Sequence, residues 1–83
     1  MQLLYFGWVR TKVGRDRESL DLPAGVTDVR GLVEHLRARG RGYADALDDL
    51  TLVRVAVNQE IAALDQPVKA GDEVALFPPM TGG

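Results

Sequence analysis

Gly71-Asp72-Glu73-Val74-Ala75-Leu76-Phe77-Pro78-Pro79-Met80-Thr81-Gly82-Gly83 reads as a turn, a strand and an extended exit in succession. Ala70-Gly71-Asp72 breaks the chain and Glu73 to Phe77 forms a strand. Two prolines directly behind it end its pairing and hold the exit in a polyproline-like geometry. The six residues from Pro78 onward can reach roughly 20 Å when extended. Gly82 and Gly83 carry no side chain, so they can pass through a slot too narrow for any Cβ, and nothing hinders attack at the terminal carboxyl. Terminal glycines are often merely frayed. Here the pair follows a proline-stiffened exit from an ordered strand, which suits a carboxylate presented on a short guided arm.

Outward from that strand, Leu52 to Asn58 is the strongest β segment, with Val53, Val55 and Val57 on one face. Asn58-Gln59-Glu60 reads as a turn into Ile61, and Gln66-Pro67 opens the connection back to the final strand. At the other end, Leu3 to Val9 is apolar at both phases of a period-two pattern: Leu3, Tyr5 and Val9 against Leu4, Phe6 and Trp8. A turn-like stretch from Arg10 to Arg17 leads to Glu18–Leu22, which alternates cleanly as a hairpin partner and stops at Pro23-Ala24-Gly25. Thr27 fits a helix N-cap with Asp28 in the first turn. Val29, Leu32, Val33 and Leu36 recur as a one-sided stripe, Arg37 and Arg39 suit the last turn, and Gly40 suits the stop. Tyr43 to Leu50 adds at most a short helical turn.

The order is two strands, a helix, a linker and further strands. It predicts an α+β domain over residues 1–77, a mixed four- to five-stranded sheet on one main helix, with residues 78–83 as a tail. One helix covers only one face of such a sheet. Phe6 and Trp8 then join Phe77 on the uncovered face, either as scattered apolar residues or as one contiguous patch that marks a partner site.

Composition narrows the function. The 83 residues, 46% apolar and 27% charged, make one ordinary globular domain. Met1-Gln2-Leu3-Leu4 lacks a basic lead and a cleavage site, so it reads as a first strand and the expectation is a cytoplasmic protein that engages no membrane. The net charge of −2 divides into +3 over residues 1–41 and −5 over residues 42–83. The basic residues are scattered and not interleaved with aromatics, which argues against nucleic-acid binding. There is no cysteine, and so no disulfide, thiolate metal site or thiol nucleophile.

Side-chain chemistry is sparse. His35, the one histidine, lies about 110° around the helix from the centre of the apolar stripe and has no nucleophile to serve. Asp45, Asp48 and Asp49 do not have calcium-loop spacing, and Asp72-Glu73 reads as a turn-plus-strand pair. Gly40-Arg41-Gly42 lacks the spacing of a phosphate loop. The expectation is no bound cofactor, no metal and no catalytic side chain.

The ending Gly71–Gly83, the strand end Val55-Ala56-Val57-Asn58 and the opening Leu4-Tyr5-Phe6 resemble the molybdopterin synthase small subunit, a ubiquitin-like β-grasp sulfur carrier. Met80 stands where valine is usual and Trp8 where a smaller residue is common. The resemblance implies that Gly83, with Gly82, is the reactive end. A free α-carboxylate, with a pKa of about 3.5, is a poor electrophile. An ATP-using, ubiquitin-activating-like adenylyltransferase would convert it to an acyl-adenylate, and a sulfur donor would displace AMP to leave a thiocarboxylate. That group would deliver sulfur to a cyclic pyranopterin precursor inside the large subunit, within a heterotetramer. By the same resemblance Pro78, Pro79, Met80 and Thr81 guide the tail, Phe6, Ile61 and Phe77 dock both partners, and Arg10 adds a polar contact.

Three other readings stay open. A sister carrier for thiamine, cysteine or tRNA thiolation shares the Gly-Gly end, although Phe77-Pro78-Pro79 favours the molybdenum cofactor branch. A ubiquitin-like modifier would form isopeptide bonds with lysines. A plain interaction domain would leave the tail inert.

Overall fold

The computed structural model describes residues 1–79. Its strands are β1 (Gln2–Tyr5), β2 (Arg17–Ser19), β3 (Arg54–Val57), β4 (Glu60–Ala62) and β5 (Glu73–Phe77). Its helices are α1 (Gly7–Val13), α2 (Val29–Arg37) and α3 (Arg41–Leu47), with a 3-10 turn at Leu50–Leu52. The five strands form one mixed sheet in the order β2-β1-β5-β3-β4. The β1–β5 pair at its centre is parallel and the other three pairs are antiparallel. This is the predicted α+β, β-grasp arrangement, with five strands.

Alternation along each strand decides the core. Leu3 and Tyr5 of β1, Val74 and Leu76 of β5, and Val55 and Val57 of β3 all point to one face and are buried. Val9 of α1, the α2 stripe of Val29, Leu32, Val33 and Leu36, and Ala46 and Leu47 of α3 close over them in a single cluster. Burying each such side chain contributes about 1.5–3 kcal/mol. All three helices lie on this face.

Two shorter helices join the predicted main helix α2 on this face, and the reason for the unexpected one, α1, lies at Phe6-Gly7. The first strand ends at Tyr5 instead of running on to Val9. Phe6 N–H still donates to the Leu76 carbonyl at 3.1 Å, but Gly7 takes φ +58°, which turns the chain into α1. Val9 and Val13 then share a helix face. A short apolar run fits period two and period 3.6 alike, and the glycine decides between them. The second strand is also shorter and earlier than Glu18–Leu22: pairing covers Arg17–Ser19, and Leu20 continues it by donating to the Met1 carbonyl and accepting from the Met1 amino group.

Helix ends differ in detail. Asp28, not Thr27, caps α2, accepting from Gly31 N–H at 2.8 Å. Thr27 is occupied otherwise, its carbonyl accepting from Val68 N–H. Gly40 does not stop α2, which ends at Ala38, but is the N-cap of α3. Gly42 packs so closely on the Lys12 carbonyl that a Cβ there would overlap it, which is how α3 lies against α1.

The expected turn after β3 is present. Asn58 (φ 51°) and Gln59 (φ 71°) form a two-residue hairpin with both central residues left-handed. Asn58 makes this possible by tying itself to β5. Its Oδ1 accepts from Glu73 N–H at 3.0 Å and its Nδ2 donates to Asp72 Oδ1 at 3.1 Å. Asp72 is buried, and the Asn58 amide together with Lys69 N–H holds its carboxyl below the usual carboxylate range.

Candidate functional site: the open face and the root of the tail

The residues that alternate with the buried ones along each strand lie on the uncovered side of the sheet. Registers place Arg17, Leu4, Ala75, Ala56 and Ile61 in one row across all five strands. The next row, towards the tail, holds Phe6, Phe77 and Arg54: the Phe6 bond to Leu76 sets Phe6 beside Phe77, and Phe77 pairs with Arg54. Phe6 is 49% exposed and Ile61 70% exposed, while Phe77 is half-buried. The small side chains of Ala56 and Ala75 stand in the row between Leu4 and Ile61. The three apolar anchors predicted from sequence thus belong to one contiguous surface.

Other predicted positions fall into place around it. Arg10 is exposed on α1, one turn beyond Phe6, whose carbonyl accepts from Arg10 N–H at 3.2 Å. Pro78 and Pro79 are half-buried. The Pro78 ring packs against Gly7 so tightly that a Cβ on Gly7 would stand 2.7 Å from Pro78 Cγ. Trp8 is not on the open face as predicted. It rides on α1, packs partly into the core and lines an apolar recess with Leu52, Pro78 and Pro79. The tail therefore leaves the sheet between this recess and the Phe6–Phe77 pair. Met80, Thr81, Gly82 and Gly83 lie outside the described residues.

Leu4 stands on the face its alternation with Leu3 and Tyr5 predicts, whereas Ala56, Ala75, Arg17 and Arg54 were missed as members of it. Alternation within Glu73–Phe77 would have found Ala75. The others needed the register, because the order β2-β1-β5-β3-β4 brings together segments more than fifty residues apart.

Behind β1 and β2 the helical side is fixed by a polar cluster. Glu18, with a side chain only 6% exposed, accepts from Tyr43 Oη at 2.6 Å, Tyr5 Oη at 2.7 Å and Arg39 at 2.9 Å. Arg15 reaches its other side at 3.4 Å, and Arg39 stacks 4.9 Å from the Tyr43 ring centre. Burial acts to raise the Glu18 carboxyl, but bonds from Tyr43, Tyr5 and Arg39 and the charge of Arg39 outweigh it and hold it low. Burial and the Glu18 carboxylate push both tyrosines up. These groups satisfy one another and face away from the open surface, so their arrangement is architectural. His35 is half-buried on α2, and no cluster of three metal-ligating side chains exists among the described residues.

The comparisons with known proteins agree with this geometry. The ThiS family matches residues 3–83. The molybdopterin synthase sulfur carrier subunit of Escherichia coli is 41% identical over 83 residues, covering 100% of this chain and 99% of that protein. A molybdopterin converting factor subunit 1 of Pyrococcus furiosus superposes with a TM-score of 0.77 at 31% identity, over 95% of each chain. SAMP1 of Haloferax volcanii superposes with a TM-score of 0.74 at 29% identity, over 100% of this chain and 98% of that one. By sequence along its whole length and by fold, the chain belongs to the ThiS family.

Proposed function

We propose that this protein is the sulfur carrier subunit of molybdopterin synthase, with the Gly83 carboxylate as its working group. One observation carries the reading: the root of the tail, Phe77-Pro78-Pro79, rises from the rim of the contiguous apolar face. A partner that covers Phe6, Phe77 and Ile61 receives the following residues directly into its own interior. The whole-length relationship to the Escherichia coli carrier supports the same assignment.

The chemistry runs in two stages. An ATP-using adenylyltransferase takes the carboxylate onto the α-phosphate, releasing pyrophosphate and leaving an acyl-adenylate with AMP as leaving group. A donor of sulfide-level sulfur attacks the acyl carbon as HS⁻, the C–O bond to AMP breaks, and loss of the S–H proton leaves the thiocarboxylate. The large subunit of the synthase then draws sulfur from that group for the dithiolene of molybdopterin. This chain supplies the handle, the docking face and the stiff exit. It contributes no side chain to bond making.

A second reading, a ubiquitin-like modifier, is favoured by the likeness to small archaeal modifier protein 1 of Haloferax volcanii, 41% identical over 49 residues. Intact-mass analysis of the protein from its own cells separates the two. A population heavier by one oxygen-to-sulfur exchange at Gly83 is expected of the carrier, and stable adducts through Gly83 to lysines of other proteins are expected of the modifier. Deleting Gly83 should abolish sulfur transfer with the fold retained. Full transfer by that truncation would refute the carrier assignment.

A further inference from the structure

Charge on the open face is opposite in sign to charge on the molecule. The protein carries −2 overall, yet the apolar patch is flanked by Arg17 and Arg54. Arg17 lies at the β2 end of the Leu4–Ile61 row, and Arg54 flanks Phe77 on β3. With strands about 4.8 Å apart and a rise of about 3.3 Å per residue, the two stand about 16 Å apart, on opposite sides of the patch. The one carboxylate in register on this face, Glu73, lies about 13 Å along β5 from Phe77, at the end remote from the tail.

Placement, more than pairing, sets these arginines apart, since Arg30 and Arg41 behind the sheet also lack a carboxylate within 4 Å among the described residues. Arg15, Arg37 and Arg39 all reach carboxylates on the helical side. Among the described residues Arg10 and Arg17 have no carboxylate within 4 Å, and Arg54 bonds only to the carbonyls of Thr51 and Val53. Guanidinium groups at the rim of an apolar patch keep their water and their charge until a partner supplies the counter-ion.

We propose that Arg17 and Arg54 are specificity residues of the docking face, and that they select a large subunit whose apolar contact surface is bordered by carboxylates on both sides. This rests on the carrier reading above and names the electrostatic form of its partner. The apolar face supplies the binding energy, and the two flanking charges steer the encounter and fix its register, so that the tail enters the large subunit in one orientation. Rim charges act chiefly on the association rate. A long-range effect of this kind weakens as salt shortens the Debye length from about 10 Å at 0.1 M to about 3 Å at 1 M.

The test is stopped-flow association of the purified full-length chain with the purified large subunit of the same organism, in 50 mM and 1 M salt. The variants are Arg17→Glu, Arg54→Glu, the double reversal, and Arg54→Gln as a neutral control, each checked for its melting temperature. The double reversal is expected to slow association at least tenfold in low salt, with little change in dissociation, and high salt is expected to remove most of the difference. Arg54→Gln should fall between wild type and Arg54→Glu. Association rates unchanged by the double reversal, or slowed equally in both salts, would overturn the proposal while leaving the carrier reading intact. Wild-type chain that fails to bind the large subunit at all would remove both. Charge-dependent binding to the adenylyltransferase alone would also overturn the assignment of these residues to the large subunit.

Discussion

Tyr43 Oη and Tyr5 Oη donate to the same oxygen of Glu18, at 2.6 and 2.7 Å, and so lock α3, β1 and β2 around one carboxylate. Arg39, just past the end of α2, occupies the other oxygen at 2.9 Å. A nearly buried carboxylate stays in place only because every lone pair has a donor. Since β1 carries Leu4 and leads into Phe6, this cluster fixes from behind the strand that supports the open face.

Glu18→Gln keeps the shape but loses the charge and cannot accept every donor. It is expected to cost about 1–2 kcal/mol, read as a lower urea midpoint with an unchanged m-value. The sign of the pH dependence follows from the lowered folded-state value of the Glu18 carboxyl. Its contribution is full above the ordinary glutamate value of about 4.3 and is lost as pH falls through the lower folded-state value. Wild type and variant should therefore differ at pH 7 and converge in strong acid. Asp72 loses stability in the same acid window, but it does so in both proteins and drops out of the difference. Curves that stay parallel down to pH 3 would mean the charge of Glu18 contributes nothing.

Asp28 and Thr27 make a sharper comparison. Both are good N-cap residues, but only Asp28 accepts from Gly31 N–H. Asp28→Ala should lower stability by about 1 kcal/mol, and Thr27→Ala by a few tenths at most. Equal losses in thermal unfolding would show that the cap is not the origin of the effect.

These cases mark where sequence reading succeeds. The α2 stripe, the Val53-Val55-Val57 face and the Asn58-Gln59 turn are local patterns, and each stands where predicted. The end of β5 at Phe77 was legible because Pro78 and Pro79 fix their own φ and cannot donate to a strand ladder. Helix α1 was not, since Leu3 to Val9 satisfies either periodicity and only the Gly7 conformation settles it. The docking face was half legible. Phe6, Ile61 and Phe77 could be named singly, but their union depends on β1 and β5 pairing in parallel across the length of the chain. No local pattern encodes that register.

The hairpin at Asn58-Gln59 offers a gain of stability. Gln59 holds φ 71°, a conformation that costs a side-chain-bearing residue about 1–2 kcal/mol, whereas glycine adopts it freely. Glycine also loses more entropy on folding, so Gln59→Gly should stabilise by about 0.5 kcal/mol net. Asn58→Gly should instead destabilise, because it forfeits the bonds to Asp72 and Glu73. Denaturant midpoints that move in the same direction for both would contradict this division of roles.

Ile61 tests the face without touching the fold. It is 70% exposed and lies at the end of the apolar row, so Ile61→Glu should change stability by no more than about 0.5 kcal/mol. Buried under a partner, the same glutamate would be an unpaired charge on an apolar surface, and affinity for the large subunit should fall at least about tenfold. Phe77→Ala acts by lost contact instead, at about 1–3 kcal/mol if Phe77 is an anchor. Calorimetric titration compares the two: both remove apolar contact area and should shrink the heat-capacity change, while Ile61→Glu should lose more affinity for the area it removes because it also leaves a charge unpaired. Two folded variants that bind with wild-type affinity would leave the row from Leu4 to Ile61 without a partner, because a surface that tolerates both a charge at its edge and a hole beside the tail is not being covered.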